Sequence, residues 1–336
     1  MKKKLLIIAL AAFVLCGGLF AWAYLAKPFY KGDLSGTAEE YSVEGREIKP
    51  MYVDENGEFV ILQLTDTHLV TGRETKLLAA IEKQVARVCP GLVVVSGDML
   101  DGQNLRIFRD KRAALRAIAD VFEHREQPWV YVPGNNDGEV LGSSADVAAY
   151  LARHYEYCLV ANEPGLTGAV QFTIPLLYEE GETAHELIFM DSLGRDPATN
   201  YITYDCMKQD QADWLRGRLQ DLKTQAPLAR ASVFFHADTP ALCTAQNQGA
   251  PYADGYAMPS LSKPSVPGNW IIDSAMQSAG NVGLVSVGHL HPPVNWCAYL
   301  DKTYYHVTRA SGAAVITIHT DDGNPRRLYS FEELGF

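Results

Sequence analysis

Residues 59–68 read Phe-Val-Ile-Leu-Gln-Leu-Thr-Asp-Thr-His. A short and almost unbroken apolar run that stops at Asp-x-His reads as a strand buried on both faces, with polar chemistry released at its carboxyl end. The same device recurs along the chain. Gly91–Val95 is a second buried strand, followed by Gly97-Asp98. Trp129–Val132 is a third, followed by Gly134-Asn135-Asn136-Asp137. Ser232–His236 ends on a lone histidine, and Val282–Val287 leads into Gly288-His289-Leu290-His291. Between the early strands lie stretches of helical period. Glu74–Val88 places Leu77, Leu78, Ile81, Val85 and Val88 on one face, and Arg106–His124 and Ser144–Tyr155 follow suit. Strand–helix alternation of this kind predicts an α/β fold around a buried sheet.

The second half is richer in strands. Ala169–Ile174, Glu186–Met190, Thr303–Thr308 and Ala313–His319 read as β, while Lys208–Leu222 and Trp270–Ala279 read as helices. Residues 238–269 are dense in Pro, Gly, Ala and Ser and predict a long rim or lid. No linker-like break or internal repeat interrupts residues 58–336, which are therefore read as one domain.

Composition narrows the class. The chain has 336 residues, 47% of them hydrophobic and 21% charged, as in an ordinary globular protein. Its 40 acidic side chains outnumber 29 basic ones, for a net charge of −11. Bulk attraction to nucleic acid or anionic lipid is disfavoured, and a nuclease with it, since no basic run offsets the deficit.

The N-terminus carries a separate message. Lys2, Lys3 and Lys4 precede an uncharged run over residues 5–26. As a helix this run would rise roughly 33 Å, about the thickness of a hydrocarbon core. It reads as a signal anchor, or as a signal peptide cleaved near Ala21-Trp22-Ala23; both place the remainder outside the cytoplasm. Leu15 before Cys16 argues against a lipoprotein site. Residues 27–57 are polar and without period, and read as a tether or lead-in. Of the six cysteines, five fall beyond the anchor and none forms C-x-x-C, so no zinc ribbon or disulfide framework is demanded.

In open α/β sheets ligands bind outside the carboxyl ends of the strands. The five strand ends above all present Asp, His or Asn there. Imidazole with carboxylate suits a divalent transition metal, and the lack of a thiolate argues against a structural zinc site. Any one of these motifs is also the composition of an ordinary turn. Five of them, in order and each after a strand, make a pattern.

That series, D-T-H, G-D-x-x-D, G-N-N-D, a lone His and G-H-L-H, resembles the calcineurin-like metallophosphoesterase family from Glu58 to about Gly312. The resemblance implies a four-layer αββα sandwich of two mixed sheets, behind the N-terminal hydrophobic helix. It implies two divalent metal ions, of Mn, Fe, Zn or Co. Asp66, His68 and His291 would hold one, Asn135, His236 and His289 the other, and Asp98 would bridge them. The activity implied is hydrolysis of a small phosphate ester by a metal-bridged hydroxide. Two departures stand out. The family pattern is G-N-H-[DE], whose histidine helps to protonate the leaving oxygen; here that position is Asn136, which cannot supply a proton. Asp137, the residue that would orient the missing histidine, is expected to hold Asn136. His154, Tyr252 and Tyr256 are the candidate substitutes, and a metal-binding pseudo-phosphatase or surface interaction module is the alternative. The tyrosine ligand of purple acid phosphatases is replaced by Asp101. Of the remaining polar residues, Asp191 is placed to orient a ligand histidine, His306 to approach the site, and Arg309 to bind phosphate or to form an ion pair.

Overall fold

In the computed structural model the described residues are 43–69, 74–101, 111–138, 143–199, 203–252, 263–320 and 324–335. The hydrophobic N-terminal run, the first residues of the helix expected from Arg106, and Tyr256 lie outside them. Among the described residues no helix is long and apolar enough to cross a membrane.

Two sheets organise the chain. Strands β2 (Glu58–Thr65), β3 (Leu92–Ser96) and β4 (Trp129–Val132) run parallel. β12 (Gly312–His319) pairs antiparallel with β2 and with β13 (Tyr329–Leu334), giving the order β13-β12-β2-β3-β4. The second sheet has the order β1-β5-β6-β7-β9-β11-β10-β8. Its strands are β1 (Met51–Tyr52), β5 (Gln171–Leu177), β6 (Thr183–Met190), β7 (Arg230–Phe234), β8 (Ala250–Pro251), β9 (Val282–Val287), β10 (Trp296–Leu300) and β11 (Thr303–Val307). β6, β7, β9 and β11 are mutually parallel.

The layering follows from the alternation of side chains along a strand. Leu187, Phe189, Phe234 and Leu284 join the core shared with the first sheet, whereas their neighbours Ile188, Val233, Phe235 and Val285 join a second core. The first core takes Ile81 and Val85 from α1 (Thr75–Val88), Leu115, Ile118 and Phe122 from α2 (Lys111–Glu123), and Val147 and Leu151 from α3 (Ser144–His154). The second takes Leu215 and Leu219 from α4 (Gln209–Gln225), Leu242 from α5 (Pro240–Gln248), and Ile272 and Met276 from α6 (Trp270–Ala279). Helices thus cover the outer face of each sheet, and the sheets face one another, as expected for the αββα sandwich. Phe189 stacks between Phe172 at 5.0 Å and Phe234 at 5.4 Å. Full burial of a ring of this size contributes roughly 1.5–3 kcal/mol.

The interior between the sheets is not wholly apolar. Gln63 Nε2 donates to Ser96 Oγ at 2.8 Å, and Ser286 Oγ donates to Gln63 Oε1 at 2.5 Å. Ser286 in turn meets His306 Nδ1 at 2.9 Å. With its own hydrogen spent on Gln63, the Ser286 hydroxyl accepts, which puts the His306 proton on Nδ1. A second group joins His185 Nε2, Ser232 Oγ and Tyr329 OH, with Ser232 2.9 Å from each partner. His306 is therefore an inter-sheet residue, stacked on Phe331 at 5.1 Å, and does not join the strand-end cluster.

Several local readings need correction. Residues 43–57, part of the stretch that reads as a tether or lead-in, lie on the domain: Val43 is buried, Arg46 Nη1 donates to the carbonyls of Cys158 and Val160, and β1 pairs with β5. The stretch 238–269 holds helix α5, begun by Pro240 at its first turn, where a missing N–H costs nothing. β10 and β13 also escaped the sequence reading, because Cys297 and Ala298, and Glu332 and Glu333, blur any alternation. Cys89, Cys158, Cys206, Cys243 and Cys297 are free thiols.

Burial holds both inter-sheet histidines neutral, pushing His306 and His185 from 6.5 down to about 3, with Arg230 adding to the effect on His185. A folded-state value below the unfolded one gives stability that is complete above pH 6.5 and is lost as pH falls toward 3. Each group contributes a slope of about 1.4 kcal/mol per pH unit inside that window. Urea unfolding at a series of pH values is expected to show a shallower slope for His306→Gln than for the parent chain. An equal slope would place the proton uptake elsewhere.

Candidate metal centre

All the site loops leave the carboxyl ends of parallel strands: residues 66–68 follow β2, 97–98 follow β3, 134–137 follow β4, His236 follows β7, and 288–291 follow β9. They are tied to one another by main-chain hydrogen bonds. Asp66 N donates to Gly97 O, His68 N to Asp98 O, Gly288 N to His236 O, and Ser311 N to Asp66 O, all at 3.0–3.1 Å. Asp66, His68, Asp98, His289 and His291 all have φ between 43° and 66°. Left-handed backbone at non-glycine residues is costly, and its concentration at these ligands marks a functional cluster. The turns also need close approach. A Cβ on Gly288 would sit 2.0 Å from Thr65 Oγ1 and 2.5 Å from Asp66 Oδ2, and one on Gly134 would sit 2.1 Å from Asp98 N.

Two groups of ligand atoms result, each with all its atoms within 4.8 Å of one another: Asp66, His68 and His291, and Asp66, Asp98 and His236. In the first, His291 Nε2 is 2.9 Å from Asp66 Oδ1 and 3.2 Å from His68 Nε2. In the second, His236 Nε2 is 3.5 Å from Asp98 Oδ2, 3.2 Å from Asn135 Oδ1 and 4.0 Å from Asp66 Oδ1. His289 completes this side, its ring 5.1 Å from that of His236. All the residues expected as ligands, Asp66, His68, Asp98, Asn135, His236, His289 and His291, are thus in one cup. Asp66 belongs to both groups, and Asp98, the carboxylate expected between the two metals, belongs to the second. Asp98 is held in place by Asn136: its Oδ1 accepts from Asn136 N at 2.8 Å and its Oδ2 from Asn136 Nδ2 at 2.6 Å.

The electrostatics favour cations. Burial opposes the charge of Asp66, yet His236 and the hydrogen bond from His291 hold its carboxyl below the ordinary range. Asp98 is held down in the same way, against burial, chiefly by His236. Burial likewise opposes a charge on His236, but Asp98 and Asp66 raise it to about 10. Burial and the facing His236 push His289 down to about 4. Two buried carboxylates that raise a fully buried imidazole this far favour positive charge in the cup, and a divalent cation supplies it. The donor set, imidazole nitrogen with carboxylate and amide oxygen, suits a transition metal. The orientation of His236 is fixed from behind, since its Nδ1 meets Ser96 O at 2.9 Å and leaves Nε2 facing the cup.

The flanking residues differ from expectation. Asp137, expected to hold Asn136, accepts from main-chain amides. Its Oδ1 accepts from Leu100 N at 3.1 Å and its Oδ2 from Gly134 N at 2.9 Å, clamping two site loops together. Burial and Asp98 push its carboxyl up to about 7. Asp191 accepts from Ala169 N and Leu193 N, so it shapes the turn after β6; the support behind His236 is the Ser96 carbonyl. Arg309 forms an ion pair with Glu333 at 3.3 Å. His154 closes α3 against Tyr150, and Tyr252 packs beside Phe331 and Tyr304. Tyr204 was not foreseen: its ring meets the His289 ring edge-on at 4.8 Å. The available signal was the Asp191-Ser192 pair after β6, one more polar strand end on the same edge.

This architecture, with ligands gathered at the strand ends between two sheets, is that of a dinuclear metallohydrolase. The pattern of the calcineurin-like phosphoesterase family matches residues 59–293, and the chain belongs to that family. A curated relative, Probable inactive purple acid phosphatase 29 of Arabidopsis thaliana, is 23% identical over 272 residues, covering 70% of this chain and 67% of the plant protein. A dimetal phosphatase from Danio rerio shares the fold with a TM-score of 0.51 at 13% identity, over 82% of this chain and 99% of that one. A putative 5'-nucleotidase from Staphylococcus aureus aligns with a TM-score of 0.50 at 14% identity, over 82% of this chain and 53% of its own.

Because Asp66 serves both groups, Asp66→Asn is expected to strip both metals, while Asn135→Ala weakens only one position. Elemental analysis after dialysis against trace metal measures this. Two equivalents retained in Asp66→Asn would refute the shared role.

Proposed function

We propose that the chain is an exported, dinuclear metal-dependent phosphoesterase that acts on small phosphate esters whose leaving group departs without a donated proton. What carries the reading is the pair of ligand groups sharing Asp66, with Asn136 bonded to Asp98 beside them. Asp66, His68 and His291 would hold one cation, and Asn135, His236 and His289 the other, with the Asp66 and Asp98 carboxylates between them. Mn, Fe, Zn and Co all suit these donors. When bound, the cations supply an activated hydroxide and stabilise charge on the phosphoryl oxygens. The protein's own part is to orient His236 through Ser96, to hold the ligand loops together through Asp137, and to present Asn136 on the leaving side. An amide donates a hydrogen bond there but releases no proton. Placement outside the cytoplasm, anchored to the membrane or secreted, is supported by the lysine-led apolar run over residues 5–26.

A second reading, a metal-binding pseudo-phosphatase, is favoured by the same Asn136 and by the plant relative, itself a probable inactive phosphatase. The full chain, loaded with Mn²⁺, Zn²⁺ or Fe²⁺, separates the two. Turnover of aryl phosphomonoesters or diesters with weak turnover of alkyl esters is expected. Asn136→His should raise the alkyl rate by about 10²-fold, the lower end of what general acid help contributes. Silence on every ester at full metal occupancy would install the second reading.

A further inference from the structure

The turn that follows β6 reaches the metal cup at two points. The Gly194 backbone lies beside Asn135, where even an added Cβ would be 3.5 Å from the Asn135 carbonyl oxygen. Tyr204 stands edge-on to His289, and Arg195 pairs with Tyr204 across an isolated antiparallel bridge. The Arg195 guanidinium carbon lies 4.8 Å above the Tyr204 ring, so a fixed cation sits one ring outward from a metal ligand. The turn is held under strain to do this: Leu193 has φ 65°, with its N–H bonded to Asp191 Oδ1 at 2.7 Å.

No ion pair to the guanidinium is found among the described residues. Its Nε is buried and has no hydrogen-bond partner among the described residues. The nearest carboxylates along the chain are in use. Asp196 Oδ1 accepts from Ala198 N at 2.8 Å, and Asp205 Oδ1 takes the Lys208 ammonium and Cys206 N. An arginine braced on an aromatic ring, beside a phosphoryl site and with no counter-ion among the described residues, is built to take an oxyanion with its planar fork.

Resting on the phosphoesterase reading, we propose that Arg195 binds a second anionic group on the substrate, and that the substrate is a phosphoric anhydride such as a nucleoside diphosphate. One ring outward from His289 is where the group beyond the scissile bond would lie. The leaving-side chemistry agrees. In hydrolysis of a P–O–P link, a water oxygen bonds to the attacked phosphorus and the bridging P–O bond breaks. The departing phosphate keeps the electron pair, and the protons of water pass to the products and solvent. A phosphate leaves readily as an anion, so Asn136 is no handicap for this class.

The experiment uses the full chain loaded with Mn²⁺ and compares the parent with Arg195→Gln and Arg195→Lys. The ratio of kcat/KM for ADP to that for 4-nitrophenyl phosphate is expected to fall about 10- to 100-fold in Arg195→Gln, the range for a charged hydrogen bond. Arg195→Lys should recover part of it. Calorimetric binding of α,β-methylene-ADP, which cannot be cleaved, should weaken about as much, independently of turnover. If esters are hydrolysed but the ratio and the analogue affinity ignore Arg195, this inference fails and the phosphoesterase reading stands. If nothing is hydrolysed while the analogue still binds through Arg195, the anion site stands and the hydrolase reading falls.

Discussion

Two carboxylates, Asp66 and Asp98, are buried side by side at 0% and 2% exposure. Removing such charges from water costs several kcal/mol each unless donors and cations surround them. The rest of the site is arranged around that demand. Asp66 receives His291 Nε2, His289 N and Thr65 Oγ1, and Asp98 receives both donors of Asn136. His236 is pulled to about 10 by the pair, against its own burial. The need for so many donors at one point explains why five loops converge there, and why Gly134 and Gly288 leave no room for a side chain.

Convergence has a conformational cost. Left-handed backbone at Asp66, His68, Asp98, His289 and His291 runs to about 1–3 kcal/mol at each residue. The compensation is local. Main-chain hydrogen bonds link the loops, and Asp137 ties the Gly134 and Leu100 amides to one side chain. The sheets behind contribute fully buried, paired strand ends that do not yield. In this light Asp137 is a positioning residue whose partners are backbone amides. Its raised carboxyl, about 7, reflects a group buried beside Asp98 and held for shape.

The metal cup was legible because its residues are consecutive with buried strands. A run such as Phe59–Thr65 announces both the strand and the end at which chemistry emerges, and Asp66 and His68 follow at once. The four-layer arrangement was carried by resemblance more than by periodicity, since Leu187 and Ile188 belong to different cores yet look alike in sequence. Hydrogen-bond partners were not legible. Whether Asp137 meets Asn136 or the Gly134 amide, and whether Asp191 meets a histidine or the turn after β6, depends on how loops close in space. His306 illustrates the same limit. It lies on β11, next in the sheet to the strand before Gly288-His289, but its side chain points between the sheets toward Ser286.

Position 136 joins these threads. An imidazole there would carry a removable proton and would compete with His236 for the negative charge of Asp98. The amide does neither. It holds its hydrogens at every pH, and its backbone and side-chain amides each donate to one oxygen of the Asp98 carboxylate. The substitution thus gives up proton donation while keeping the geometry of the carboxylate that faces the second metal position. A site altered in this way asks more of the leaving group and of whatever binds it. The Arg195 guanidinium, braced on Tyr204 one ring outward from His289, is the group proposed for that binding.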